Sequence, residues 1–133
     1  MTAFVDTSAI YAVLDRDDEF HAAAHEVWTR LLSGDDELVT SNYIVLESFA
    51  LIQSRLGMDA VRAFHDEVLP AVRLEWVSPD DHDSGAQAVL AANIRSLSLV
   101  DCTSFALMRR LRIRSAFAFD TDFAAQGFQV LPG

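Results

Sequence analysis

Four carboxylates stand where the chain could hold a divalent cation. Asp6 directly follows the apolar run Ala3-Phe4-Val5, and Asp120 directly follows Ala116-Phe117-Ala118-Phe119. Each leads into hydroxyls or another acid, as Asp6-Thr7-Ser8 and Asp120-Thr121-Asp122. Asp is also a favoured helix N-cap, so either position alone reads equally as a cap or as a ligand. Glu47 interrupts Tyr43-Ile44-Val45-Leu46-Glu47-Ser48-Phe49-Ala50-Leu51, a stretch apolar all round a helix. A lone charge there is either one solvated spot or a carboxylate aimed at a cation, because burial without a partner is costly. Asp101 stands three residues after Ser98, which is capping-box spacing, though Asp is a poorer box partner than Glu and the position reads equally as cap or ligand. Taken together the four say more. Magnesium is commonly held by a few carboxylates plus water and substrate phosphate. Such a cluster could bind one or two ions and cut a phosphodiester by in-line attack of metal-activated water.

Other arrangements carry less chemistry. His21 and His25 share a helix face, but no Glu follows His21, so the metalloprotease pattern is absent. The run Asp80-Asp81-His82-Asp83 follows Pro79 and reads as a helix first turn, where acids offset the macrodipole. Cys102 adjoins Asp101, whose charge raises a thiol pKa rather than activating it. Arg109, Arg110, Arg112 and Arg114 form the only basic cluster. They read as a solvated helix C-terminus or as phosphate contacts, placed too far along the helix from Asp101 to touch a scissile phosphate. Trp28, Phe49, Phe64 and Trp76 read most simply as core.

The elements that must position the acids are set by punctuation and periodicity. Strands are expected at residues 3–5, 38–40, 74–77 and 116–119, with an edge strand at 128–131. Helices are expected at 7–14, 18–32, 42–56, 58–72 (bent or shortened by Pro70), 79–95 and 98–111. Alternating strands and helices predict an α/β fold, a parallel sheet with helices on both faces. Ligands bind such sheets beyond the carboxyl ends of the strands, which is where Asp6 and Asp120 fall.

With 133 residues, the chain is expected to form one domain, 1–133. Acids number 20 and bases 10, all of the latter arginine, for a net charge of −10. The lack of lysine excludes Schiff-base, P-loop and phosphoacceptor-receiver mechanisms that need one. The acidity excludes simple electrostatic coating of nucleic acid, so a nucleic-acid enzyme here needs metal ions or a local arginine patch. One cysteine excludes an internal disulfide and a cysteine-based zinc site. No signal-peptide pattern and no membrane-length apolar run is present, and a soluble, reduced, cytoplasmic protein is expected.

Four blocks resemble the PIN-domain ribonucleases, especially the VapC-type toxins of bacterial toxin–antitoxin pairs. They are Phe4-Val5-Asp6-Thr7-Ser8-Ala9; Thr40-Ser41-Asn42-Tyr43 leading to Glu47; Ser98 through Met108; and Phe119-Asp120-Thr121-Asp122-Phe123. Residues 98–123 carry the resemblance most specifically, and residues 15–37 carry little. The resemblance implies a Rossmann-like sheet of order 3-2-1-4-5 and an acidic quartet of Asp6, Glu47, Asp101 and Asp120, with Asp122 auxiliary. Thr7 and Ser8 would orient the metal, its water or the substrate. It implies an endoribonuclease using Mg²⁺ or Mn²⁺, acting on RNA, dimeric, and held by a VapB-like antitoxin whose C-terminal segment crosses the site. The alternatives within this fold are an RNA-processing nuclease outside any toxin system and a catalytically silent interaction module.

Overall fold

The computed structural model describes all residues, 1–133. The elements run β1 (Thr2–Val5), α1 (Thr7–Leu14), α2 (His21–Ser33), β2 (Glu37–Ser41), α3 (Asn42–Arg55) and α4 (Met58–Ala63). Then come β3 (Arg73–Glu75), α5 (Pro79–Ala92), α6 (Leu99–Leu111), β4 (Ser115–Phe117), α7 (Asp122–Ala125) and β5 (Gln129–Leu131). The five strands form one parallel sheet of order β3-β2-β1-β4-β5. Every residue of β4 and the last three of β1 are buried, so both faces of the central strands are covered. Phe4, Val39, Ala116 and Phe117 are fully enclosed, with Phe64, Phe123, Leu107 and Met108 packed over them.

Most elements fall where periodicity puts them, and the differences have local causes. The helix expected over 58–72 is three pieces: α4, a π-helical stretch at Phe64–Val68 and a 3-10 turn at Leu69–Ala71. Pro70 lacks an N–H and its ring clashes with the preceding turn, so the α-ladder does not reach it. The helix expected to reach Arg95 stops at Ala92, because Asn93 turns left-handed at φ 53°. The short helix α7 is an addition to the expected elements. The 116–119 strand pairs regularly only through Phe117, although Ala118 N–H still reaches Leu131 O at 3.2 Å.

Two junctions fix the end of the sheet where the acids lie. β1 ends into Asp6, whose N–H donates to Phe117 O at 3.0 Å, tying the exit of β1 to β4. α6, which carries Asp101, packs along α5, and Gly85 admits the close approach: a Cβ there would lie 2.5 Å from Thr103 Oγ1.

Candidate metal centre

Asp6 caps α1. Its Oδ2 accepts from Ser8 N–H at 3.1 Å and from the Ser8 hydroxyl at 2.6 Å. The same Ser8 oxygen accepts Phe119 N–H at 2.9 Å, so one side chain fixes Asp6 and the residue before Asp120 together. Asp101 completes a capping box: its Oδ2 accepts Ser98 N–H at 3.1 Å, and its own N–H donates to Ser98 Oγ at 3.0 Å. Asp120 Oδ1 accepts Asp122 N–H at 2.9 Å. Cap and ligand are therefore compatible roles here. Asp6, Asp101 and Asp120 each commit one oxygen to the fold and leave the other without a protein partner.

Asp101, Asp120 and Asp122 offer carboxylate oxygens within 4.8 Å of one another. Asp6 stands outside this trio but feels it: the charges of Asp101 and Asp120 both act on it. Glu47 stands half-buried on α3 with its charge acting on Asp101. None of the five acids forms an ion pair. Burial pushes Asp6 up to about 7 against the Ser8 bonds that lower it, with Asp101 and Asp120 adding repulsion. Burial also raises Asp101, followed by repulsion from Asp120 and Glu47. Asp122 rises through burial and then the charge of Asp120. This is an oxygen-rich, anionic, uncompensated cluster, and that donor set fits a hard divalent cation.

Thr7 and Ser8 are both committed within the protein. Ser8 holds Asp6, and the buried Thr7 hydroxyl accepts from Ser48 Oγ at 3.3 Å, joining α1 to α3. The secondary constellations resolve as packing. Asp81 is buried and paired through both oxygens with Arg110 Nε at 3.0 and 3.1 Å. The His82 ring bonds the Tyr43 hydroxyl, and His21 Nδ1 pairs with Ala12 O at 2.7 Å. Cys102 is buried, its thiol pushed up by burial and then by Asp101 and Asp122. Arg109 lies over the Phe128 ring and bonds Gln126 Oε1 at 2.9 Å, and all four arginines of the cluster are exposed. A cavity of about 460 Å³ between α5 and α6 includes Arg109 and Arg110 but none of the five acids. An apolar groove of about 380 Å³, lined by Tyr43, Leu46, Glu47, Leu99 and Val100, includes Glu47 alone of the five acids.

Sequence reasoning missed Phe20, which ends the loop between α1 and α2 and stacks on Phe119 beside Asp120. It lies in the region of weakest resemblance, where the sequence offers no signal for it.

A family model described as PIN domain matches residues 3–129. The chain is 36% identical over 126 residues to the 23S rRNA-specific endonuclease VapC20 of Mycobacterium tuberculosis, covering 94% of each. It is 30% identical over 117 residues to Ribonuclease VapC26 of the same organism, covering 87% of this chain and 84% of that one. The crystal structure of Mycobacterium tuberculosis VapC20, described as a sarcin–ricin loop cleaving toxin, superposes with a TM-score of 0.85. That likeness carries 34% identity and covers 96% of each chain.

Proposed function

The chain belongs to the PIN-domain family, and we propose on that premise that it is a Mg²⁺- or Mn²⁺-dependent endoribonuclease, the toxin of a toxin–antitoxin pair. The observation that carries this reading is the cluster of Asp101, Asp120 and Asp122, its oxygens within 4.8 Å and without any cationic partner. A divalent ion bound there supplies an activated water and offsets the charge that builds on the phosphate. The protein's own part is positional. Ser8, Ser98 and the Asp122 N–H hold one oxygen each of Asp6, Asp101 and Asp120, which fixes these carboxylates and leaves the other oxygens for a metal. Glu47 extends the acidic field from α3. Asp6, Glu47, Asp101 and Asp120 are assigned as ligands, with Asp122 auxiliary and Ser8 as the residue that orients Asp6.

RNA is the substrate this reading favours, supported by the 23S rRNA-specific relative at 36% identity. A cognate antitoxin would present Arg or Lys to the unpaired acids, an attraction that salt weakens. Self-association as a homodimer would cover exposed apolar side chains such as Leu46, Trp76, Leu90 and Ile94. No helix is long and apolar enough to cross a membrane.

Cleavage mapping on total bacterial RNA, with and without Mn²⁺, tests the reading. Discrete metal-dependent cuts, with the sarcin–ricin hairpin of 23S rRNA as the first synthetic substrate to check, are the expected result. Intact RNA under every metal condition contradicts it.

A further inference from the structure

The loop joining α1 to α2 brings an aromatic ring onto Phe119, the residue before Asp120. Two local bonds shape it: Asp15 Oδ1 accepts Asp17 N–H at 3.0 Å, and Asp18 Oδ2 accepts Phe20 N–H at 2.9 Å. The Phe20 ring then lies on Phe119, with centroids 4.7 Å apart and planes 15° from parallel. Phe119 immediately precedes Asp120, and its N–H is held by Ser8, which also holds Asp6. The stack is therefore tied to two acids of the cluster.

Phe20 is not a core residue. It remains 41% exposed while Phe117 and Phe123 are fully enclosed, and Phe119 is its one aromatic neighbour. It also occupies the N-cap of α2, which has no side-chain cap. Asp18, two residues earlier, accepts the Phe20 N–H at this end of the helix, so the Phe20 side chain has no capping role. An apolar ring left 41% exposed, stacked on the residue that precedes Asp120, points to something that lies on it.

We propose that Phe20, backed by Phe119, is a stacking platform for a nucleobase adjoining the scissile phosphate. This rests on the reading of the cluster as an RNA-hydrolysing site. The partner's chemistry is set by charge. The chain carries −10, so outside the metal and the arginines at the far end of α6 its surface gives the RNA backbone little to hold. Stacking on an aromatic face needs no charge, and unstacked bases of single-stranded loops are what RNA-binding proteins take in this way. A platform of two parallel rings is rigid, so a base adding to it orders little else. Phe20 would then help choose which linkage is cut by requiring an unpaired base beside it.

The test uses an RNA hairpin spanning a cut mapped for the wild-type protein in Mn²⁺. Phe20→Leu, which keeps an apolar side chain and loses the ring, is expected to lower kcat/KM roughly 5- to 150-fold, the worth of one base–aromatic stack. Phe20→Trp is expected to retain or improve on the wild-type value. Abasic substitutions are then scanned through the loop. One position beside the cut should cost the wild type a similar factor and cost Phe20→Leu nothing further. Cutting by Phe20→Leu at the wild-type rate overturns the proposal and leaves the ring a packing or protein-docking role. Abasic penalties identical in both proteins at every position also overturn it. If melting shows that Phe20→Leu is unfolded, Phe20→Trp decides: its added emission should respond to the intact hairpin in Ca²⁺ more than to the abasic one, and equal responses overturn the proposal. A wild type that cuts nothing in Mn²⁺ removes the nuclease reading itself, and this inference with it.

Discussion

Asp6 is where the stability of the fold and the demands of the site pull apart. Burial, with the charges of Asp101 and Asp120 adding to it, raises its carboxyl from 3.8 to about 7, against the Ser8 cap bonds that lower it. The folded state therefore holds this proton more tightly than the unfolded chain does. Its contribution to stability is full below about pH 4, is lost as pH rises toward 7, and stays lost above, on the order of a few kcal/mol. Asp101 and Asp122 are raised too and act in the same direction. The metal-free protein is accordingly expected to melt higher at pH 5 than at pH 8. The rise in Tm caused by Mn²⁺ should shrink over the same descent, because protons compete for the ligands. Scanning calorimetry across that range checks both trends, and a flat metal-free profile contradicts the burial of an uncompensated acid. At this scale the sequence is informative. Asp6, Asp101 and Asp120 stand out by following a strand or a cap residue. What the sequence cannot show is whether each is cap or ligand, and the two oxygens of a carboxylate allow both. The commitment of Ser8 to Asp6 and Phe119 is out of its reach, since it joins residues 111 positions apart.

Elements explain how the acids converge and where the convergence is vulnerable. α6 carries Asp101 at its start and lies against α5, with Gly85 facing Thr103. A Cβ at residue 85 would meet Thr103 Oγ1 at 2.5 Å and Thr103 N at 3.0 Å. Gly85→Ala is thus expected to cost about 1–3 kcal/mol by overpacking, against the roughly 1 kcal/mol that alanine returns in helix propensity. Thr103 is two residues from Asp101, so the same displacement should slow cleavage. Denaturant melts and a cleavage assay on Gly85→Ala, alone and with Thr103→Ala, check this. Unchanged stability contradicts the close packing, and partial recovery in the double variant supports it. The strands and most helices are legible from apolar runs bounded by Gly, Pro and capping residues. The π-helical stretch at Phe64–Val68 is not, because a wider hydrogen-bond spacing leaves no distinct composition. Nor is the four-residue α7, too short for a periodic pattern.

The whole molecule is acidic, lysine-free and apolar in places water reaches. Leu46 is 71% exposed, Trp76 69% and Leu90 79%. A symmetric dimer that covers these side chains is expected at micromolar concentration, with Leu90→Glu shifting it toward monomer. Sedimentation velocity reads this directly, and a wild-type protein that stays monomeric contradicts it. The absence of lysine and the single cysteine steer the sequence reading away from lysine-dependent chemistry and a cysteine-based zinc site. The surface that partners use is beyond it, because exposure of a leucine depends on which helix faces it. The proposed chemistry joins all three scales: acids gathered at one end of the sheet hold a divalent ion and cut RNA with it. The sharpest test is Asp101→Asn, assayed for Mn²⁺-dependent RNA cleavage beside melting curves with and without Mn²⁺. Asparagine keeps the size and an acceptor for the Ser98 cap while removing a charge and a ligand. Expected are lost cleavage, a smaller Mn²⁺-induced rise in Tm, and a metal-free fold as stable as the wild type or more so. A folded Asp101→Asn protein that cuts RNA at the wild-type rate and responds to Mn²⁺ as the wild type does would contradict the metal-site assignment.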